Sequence, residues 1–388
     1  MLPRDDVVSV IHLVDATDRR LWGKEWVILW LMEAQRSSKR IDPKLVTFFP
    51  SRLSAMAAAN GFVSLSLDCC HHRFPLTAIQ RLRVLLNGSA RVVLHTHGYK
   101  PNIVGRLVRL IGSPHCALIS TCHGWVEDSL ALKIYNALDR RTSSLSDRIV
   151  LPDLNMAERL PACTDAIVIP NGIPNRCTPT EEQRRDAKRK FGWREDQFVV
   201  GMLTRITKQK GIYEFTCAKS LAANPNILWV VAGGAAGATP AIKEHAQHDV
   251  QFLDYMIEPG EYLAALDLFV QASYSEGLSL ALLEAARYAL PIVATKVGAT
   301  ECTFRDDKEA LLIPAKDPKG LADSILMLYD NPHLARRLGE AARRRFEECY
   351  QIERMNEAYL TVYRNVLGES CLRHVFTARA TDSRRIAG

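Results

Sequence analysis

No stretch of this 388-residue chain is apolar for long enough to span a bilayer; Trp26–Met32 is far too short. Zinc-finger spacing, a basic helix-turn-helix pattern and runs of lysine are all lacking, which argues against nucleic acid as the partner. No G-x-G-x-x-G opens either half, which argues against a nicotinamide dehydrogenase. There is no Asp-x-Asp pair of the kind that would hold a metal, and nothing calls for a cofactor. Internal repeats and low-complexity segments are absent too. Val7–Val14 follows Arg4, Asp5 and Asp6 with no cleavage-site pattern after it, so it reads as a first strand, not a signal peptide.

What is present is an ordinary soluble composition, 47% hydrophobic, in a length that suggests two domains. The net charge of +7 is modest and suits an acidic partner, such as an anionic membrane surface or a phosphorylated substrate. Ten cysteines are scattered through strand-like and helix-like stretches, which reads as reduced thiols in a cytoplasm. Cys69-Cys70-His71-His72 looks like a metal cluster, but four adjacent ligands close a tetrahedral site poorly. Incidental thiols at a strand end are the expectation there.

Strand-like and helix-like patterns alternate from end to end. In the first half, apolar runs over residues 7–14, 44–49, 62–67, 91–95, 116–121, 148–151 and 166–169 predict strands. Helical patterns fall at residues 26–35, 76–86, 103–111 and 128–145, the last with Asp128 as a cap. This alternation argues a parallel sheet with helices on both faces, where ligands bind at the carboxyl ends of strands. His97 and His123 stand at two such ends, each before a glycine, and Gly23 stands at the first strand-to-helix turn. Pro170–Pro179 holds three prolines and reads as a boundary between domains.

The second half repeats the pattern and is organised around Gln271–Thr295. A turn at Tyr274-Ser275-Glu276-Gly277 leads to a helix over Leu278–Leu290, stopped by Pro291 and followed by a short strand. Glu284 sits in that helix among Leu280, Leu282, Leu283, Ala285 and Ala286. A carboxylate on so apolar a helix needs a donor, either an arginine of the protein or the hydroxyls of a ligand. Glu276 precedes the helix by about two turns, so both carboxylates could face one cleft. The free N–H groups of Gly277, Leu278 and Ser279 would point at an anion between them. Upstream, Arg205 and Lys210 follow a strand in Thr204-Arg205-Ile206-Thr207-Lys208-Gln209-Lys210-Gly211, two cations placed to neutralise a diphosphate.

The spacing of Glu276 and Glu284 within S-E-G-x-x-x-x-x-x-E-A resembles the nucleotide-binding motif of retaining GT-B glycosyltransferases, particularly family 4. The T-R-I-T-K-Q-K-G stretch resembles that family's G-R-L-x-x-x-K-G, with Thr204 in place of the usual glycine. Ser120-Thr121-Cys122-His123-Gly124 resembles its T-x-H-x stretch, whose histidine lies beside the transferred sugar. His97 resembles a second family histidine that marks a loop wall or the acceptor region. Trp22 stands where the first glycine of the family's G-G-x-E would be, leaving Gly23 as the match.

The resemblance implies an α/β protein of GT-B fold, two Rossmann-like domains facing each other across a cleft. Residues 1–174 would form the acceptor domain, 175–368 the nucleotide-sugar-binding domain and 369–388 a basic tail. It implies transfer of a sugar from a nucleotide diphosphate sugar to an acceptor hydroxyl, with retention and without metal. The expected setting is cell-surface polysaccharide, lipopolysaccharide or glycolipid synthesis, with a saccharide or lipid-linked acceptor. Arg205 and Lys210 would meet the pyrophosphate, Gly277, Leu278 and Ser279 would assist, and Glu284 would take the ribose. Glu276 and His123 would face the sugar. A nucleotide-sugar epimerase or hydrolase on the same fold and a non-enzymatic relative are the alternatives. Arginines 81, 83, 106 and 109 on two first-half helices suggest peripheral attachment to an anionic membrane from the cytoplasmic side.

Overall fold

The computed structural model describes residues 7–16, 20–68, 76–86, 92–112, 116–124, 129–234 and 250–385, with side chains to residue 368. The chain divides into two compact units, residues 1–172 with 352–388, and residues 173–351. Each is a parallel sheet with helices between most of its consecutive strands among the described residues, as the alternation predicts.

The first unit holds β1 (Val8–Val14), β2 (Ile41–Thr47), β3 (Val63–Ser66), β4 (Val92–His97), β5 (Ala117–Thr121), β6 (Arg148–Leu151) and β7 (Ala166–Val168). They lie in the order β3-β2-β1-β4-β5-β6-β7. The central strands are buried on both faces, which is why β1 reads as a near-continuous apolar run, while β4 buries His95, Thr96 and His97 along with its apolar residues. The second unit holds β8 (Phe198–Leu203), β9 (Ile227–Ala232), β10 (Gln251–Leu253), β11 (Leu268–Gln271), β12 (Ile292–Thr295) and β13 (Leu311–Ile313). Their order is β10-β9-β8-β11-β12-β13. In their own numbering both sheets run 3-2-1-4-5-6, the Rossmann order, with a seventh strand added at the edge of the first, and the strand order of each reverses between its first and fourth strands.

Several boundaries differ from the sequence reading. The first helix is Gly23–Ser37, three residues earlier than its apolar pattern, because the Glu25 side chain reaches back to accept the Trp22 N–H at 3.1 Å. Helices Arg52–Ala59 and Ile212–Ala222 are additional; their short, mixed sequences give little periodicity. The helix expected over 128–145 is Leu130–Arg141, capped by the Ser129 hydroxyl on the Leu132 N–H. Asp128 and Cys69-Cys70-His71-His72 lie outside the described residues.

The largest difference is at the carboxyl end. The helix Ile352–Arg385 packs on the first unit, not with residues 175–351 as the domain assignment supposed. It buries Met355, Tyr359, Leu360, Tyr363 and Val366. Tyr363 OH lies 2.8 Å from His95 Nδ1, and Tyr359 OH lies 3.0 Å from Thr121 Oγ1. An apolar stripe on a helix announces that one face is covered, but not by which sheet. Nor does the helix stop at the supposed start of the basic tail; it continues to Arg385.

The arginines do not form the expected basic face. Arg106 is buried, paired with Asp139 at 2.9 Å and bonded to Thr142 and Ser146. Arg109 pairs with Asp147 at 2.7 Å, a carboxylate almost wholly enclosed. Three-residue spacing placed both on one face, and that face turns inward to acids from other elements. Arg81 and Arg83 remain exposed. No helix among the described residues is long and apolar enough to cross a membrane.

Candidate active site

In the second unit the sheet reverses between β8 and β11, so the loops after these two strands flank the place where Rossmann sheets bind ligands. The loops are clamped together. The Tyr274 N–H donates to the Gln209 carbonyl at 2.8 Å. Gly211 adopts φ 67°, and a Cβ there would lie 1.9 Å from the Ala272 carbonyl oxygen. Gly298, after β12, adopts φ 55°, and its Cβ would lie 1.8 Å from the Glu276 carbonyl oxygen. Only glycine satisfies both the conformation and the contact at these positions.

This clamp brings two of the expected residues, Lys210 and Glu276, into one cluster. Lys210 Nζ donates to Glu276 Oε1 at 2.6 Å, and the Ser273 hydroxyl donates to the same oxygen at 2.6 Å. Both partners of the ion pair are largely covered, at 17% and 13% side-chain exposure, so the pair is only weakly screened. Arg205 stands exposed on the same loop as Lys210. The sequence reading sent Lys210 to the diphosphate and Glu276 to the sugar as separate groups; the fold makes them direct partners. Ser273 was not foreseen, because its role depends on a contact with Glu276 across the loop.

The helix after this loop is Leu280–Arg287, with Ser279 at its N-cap. Its open N–H groups are therefore at Leu280, Ala281 and Leu282, three residues beyond the positions inferred from sequence. Gly277 and Leu278 belong to the preceding loop. Glu284 is buried in this helix, and the Arg287 guanidinium lies 3.8 Å away. Burial pushes the Glu284 carboxyl up to about 7, with Arg287 and Arg176 acting in the opposite sense. Its protein partner is thus a distant one, and the carboxylate keeps capacity for further donors.

In the first unit the reversal lies between β1 and β4. Asp15 follows β1; its carbonyl accepts from Lys24 Nζ at 2.8 Å and its carboxylate pairs with Lys100 at 3.2 Å. Lys24 also pairs with Glu25 at 3.3 Å. Gly23 is exposed as the first residue of its helix. His97 ends β4 and His123 follows β5, and the two rings meet, His97 Nδ1 lying 3.1 Å from His123 Nε2. Behind them stand two histidines the sequence reading passed over. His12 Nδ1 lies 2.9 Å from His97 Nε2, and His12 Nε2 lies 2.9 Å from Gln35 Oε1. His95 bridges Tyr363 OH and the Thr121 hydroxyl at 2.8 and 2.7 Å. The available signal was a histidine in the middle of an apolar strand, at His12 and again at His95, which demands buried partners.

All four imidazoles are held neutral. Burial lowers His12 to about 4 and His123 to about 3, the latter helped by the Lys24 ammonium, and it pushes His95 and His97 well below the ordinary range. No carboxylate among the described residues hydrogen-bonds to these rings. Ring nitrogens of His12, His95 and His97 approach within 4.8 Å of one another, close enough to suggest a metal site. All six of those nitrogens are already engaged in the hydrogen bonds given above.

Two Rossmann-type units, each with polar groups gathered at the reversal of its sheet, define the GT-B class of glycosyltransferases. Residues 183–345 match the family model "Glycosyl transferases group 1", and residues 23–175 match "Glycosyltransferase Family 4". The chain belongs to this glycosyltransferase family. It is 25% identical over 292 residues to the O-antigen biosynthesis glycosyltransferase WclY of Escherichia coli, covering 71% of this chain and 80% of that protein. It is 26% identical over 278 residues to the O-antigen chain mannosyltransferase C of Escherichia coli, covering 67% and 72%. Among solved structures, HepE of Anabaena in complex with UDP superposes with a TM-score of 0.78 at 14% identity, over 92% of this chain and 100% of that one. Sucrose-phosphate synthase from Thermosynechococcus elongatus gives 0.78 at 17% identity, over 93% and 100%. The chain is a glycosyltransferase of polysaccharide biosynthesis type.

Proposed function

We propose that the enzyme transfers a sugar from a nucleoside diphosphate sugar to an acceptor hydroxyl, with retention at the anomeric carbon. The observation that carries this reading is the Lys210–Glu276 pair, set at the sheet reversal beside Arg205 and ahead of a helix start. As the sugar leaves, charge grows on the diphosphate. Lys210, Arg205 and the open N–H groups of Leu280, Ala281 and Leu282 supply fixed positive charge for it. Glu276, displaced from Lys210 by the phosphate, would turn to the sugar. Glu284 would accept from the ribose hydroxyls, which suits a buried carboxylate whose arginine is distant. His123 and Gly23 of the first unit are proposed as further contacts, His123 to the sugar and Gly23 to the nucleotide sugar. Same-face attack with the leaving phosphate as base is the route that the family resemblance implies for retention, and no covalent nucleophile is assigned.

The acceptor is proposed to be a saccharide or lipid-linked saccharide of a surface polymer, as the names of the O-antigen relatives suggest. A peripheral contact with an anionic membrane is proposed on a different surface from the arginines named at first. Leu130, Ile134 and Leu138, four residues apart, form an exposed apolar stripe beside exposed Lys133 and Arg141. A thermal-shift screen tests the nucleotide reading directly. UDP, present in the HepE structure, is the first probe, followed by GDP, ADP and dTDP. One diphosphate should raise the melting temperature through the bound fraction. No shift with any of them at millimolar concentration would defeat the reading.

A further inference from the structure

The bonds from Gln35 to His123 form a single file: Gln35 Oε1, His12 Nε2, His12 Nδ1, His97 Nε2, His97 Nδ1, His123 Nε2. A neutral imidazole has one N–H and one lone pair, so the role of one nitrogen fixes the other. The file therefore has a direction. A carbonyl oxygen only accepts, so His12 carries its proton on Nε2, facing Gln35. His12 Nδ1 then accepts from His97 Nε2–H. His97 Nδ1 in turn accepts from His123 Nε2–H. The outer nitrogen of His123, Nδ1, is left with a lone pair, and no hydrogen bond to it is made among the described residues.

The amide of Gln35 sets the sense of this file, and it is itself held. Its Nε2 donates to Tyr363 OH at 3.2 Å, and that hydroxyl lies 2.8 Å from His95 Nδ1. His95 then faces Thr121 with its other nitrogen at 2.7 Å, and Thr121 faces Tyr359. Gln35 is wholly buried, as are His12, His95 and both tyrosines, so water cannot supply substitutes. The far end is an amide, which neither takes up nor releases a proton near neutral pH. The file consequently transmits orientation and is not a conduit for protons.

We propose that Gln35, His12 and His97 are positioning residues that fix His123 as the Nε2–H tautomer, so that its Nδ1 accepts a hydrogen bond from a hydroxyl of the transferred sugar. The choice of tautomer at His123 is made three side chains away, inside the first unit, and Tyr363 of the carboxyl-terminal helix takes part in it. The sugar contact rests on the proposed function; the tautomer relay does not. Burial that keeps all four rings neutral supports the relay, since an imidazolium would donate from both nitrogens and erase its direction.

Nitrogen-15 labelling of the histidines in the full chain, read by two-bond proton–nitrogen correlation at pH 7.5, tests it without substrate. His12, His97 and His123 should all show the proton on Nε2. Gln35→Met keeps similar volume but removes the amide, and should split or average the His123 signals although residue 35 does not touch that ring. Gln35→Glu offers an acceptor-only carboxylate to His12 and should restore the Nε2–H pattern at His123. An Nδ1–H tautomer at His123 in the unaltered protein overturns the proposal without any variant. So does an unchanged His123 in folded Gln35→Met, or zinc found in equal amount with the protein and lost together with the imidazole signals. Because nucleotide affinity is measured separately, failure of the transferase reading leaves the tautomer result intact, and the converse holds.

Discussion

Lys210 and Glu276, sixty-six residues apart in the chain, share a 2.6 Å ion pair at the mouth of the second sheet. Each neutralises the other until a ligand intervenes. Lys210→Ala should therefore lose both nucleotide affinity and turnover, because the diphosphate loses a cation that works hardest as the bond breaks. A fall in turnover of roughly a hundredfold or more is expected, and a similar fall for Arg205→Ala. Glu276→Gln should behave differently. It frees Lys210 from its counter-charge, so UDP or the matching nucleotide should bind as tightly or more tightly while turnover falls. Calorimetry with steady-state kinetics separates the two effects. If Glu276→Gln weakens nucleotide binding as much as Lys210→Ala does, the division of roles is mistaken.

Glu284 makes a prediction in both binding and stability. Glu284→Gln should weaken nucleotide affinity about tenfold or more, as expected when a charged acceptor of hydroxyl hydrogen bonds is lost. Its folded carboxyl lies near 7 against an ordinary 4.5. Between those values the folded state holds more protons than the unfolded one. Stability of the second unit should then fall as pH rises from 4.5 to 7 and level off above, for a total of about 3 kcal/mol. Glu284→Gln should lack that slope. Hydrogen exchange in β11 and β12 between pH 5 and 8 measures it locally, and equal slopes in both proteins would refute the assignment.

The first unit should show the opposite dependence. Its four histidines are folded neutral, so below their ordinary 6.5 the unfolded state binds more protons than the folded one. The stability present above pH 6.5 is lost as pH falls, at about 1.4 kcal/mol per unit for each such histidine, until its folded value is reached. For His12 that value is about 4. Exchange protection in β1, β4 and β5 should therefore weaken from pH 7 to pH 5, while β11 and β12 do not weaken with it. Protection in β1 that is flat across this interval would mean the rings find a proton partner in the folded state.

The alternation of strands and helices made both Rossmann sheets legible, because parallel strands buried on two faces must be apolar throughout. The placement of Arg205, Lys210 and Glu276 in loops after strands, and of Glu284 within a helix, was legible as well, while their roles stay proposals. What could not be read is whatever depends on contacts between distant segments. The pairing of Lys210 with Glu276 needs the glycine clamp at Gly211 and Gly298. The histidine file needs β1, β4 and β5 side by side. Helix Ile352–Arg385 looks from its sequence like the end of the second domain, and only its buried Tyr359 and Tyr363 show the sheet it covers. Arg106 reads as a surface cation until Asp139 is found 2.9 Å away.

The proposed membrane contact can be tested on the helix Leu130–Arg141. Leu130, Ile134 and Leu138 are 74%, 54% and 44% exposed and lie on one face of the helix. Lys133 and Arg141 beside it would each gain about 1 kcal/mol near an anionic surface, and the leucines would add shallow burial. Binding should accordingly be reversible and salt-dependent. The full chain should float with vesicles containing phosphatidylglycerol at low salt and detach as salt screens the charge. Ile134→Ser with Leu138→Ser should abolish flotation without loss of stability, since neither side chain is buried. Arg106→Ala, by contrast, should unfold the first unit, because it strands the buried Asp139, a cost of about 3–5 kcal/mol. If the serine variant floats as well as the unaltered protein, or if neutral vesicles retain the chain equally, this helix is not the membrane surface and a soluble acceptor becomes the better expectation.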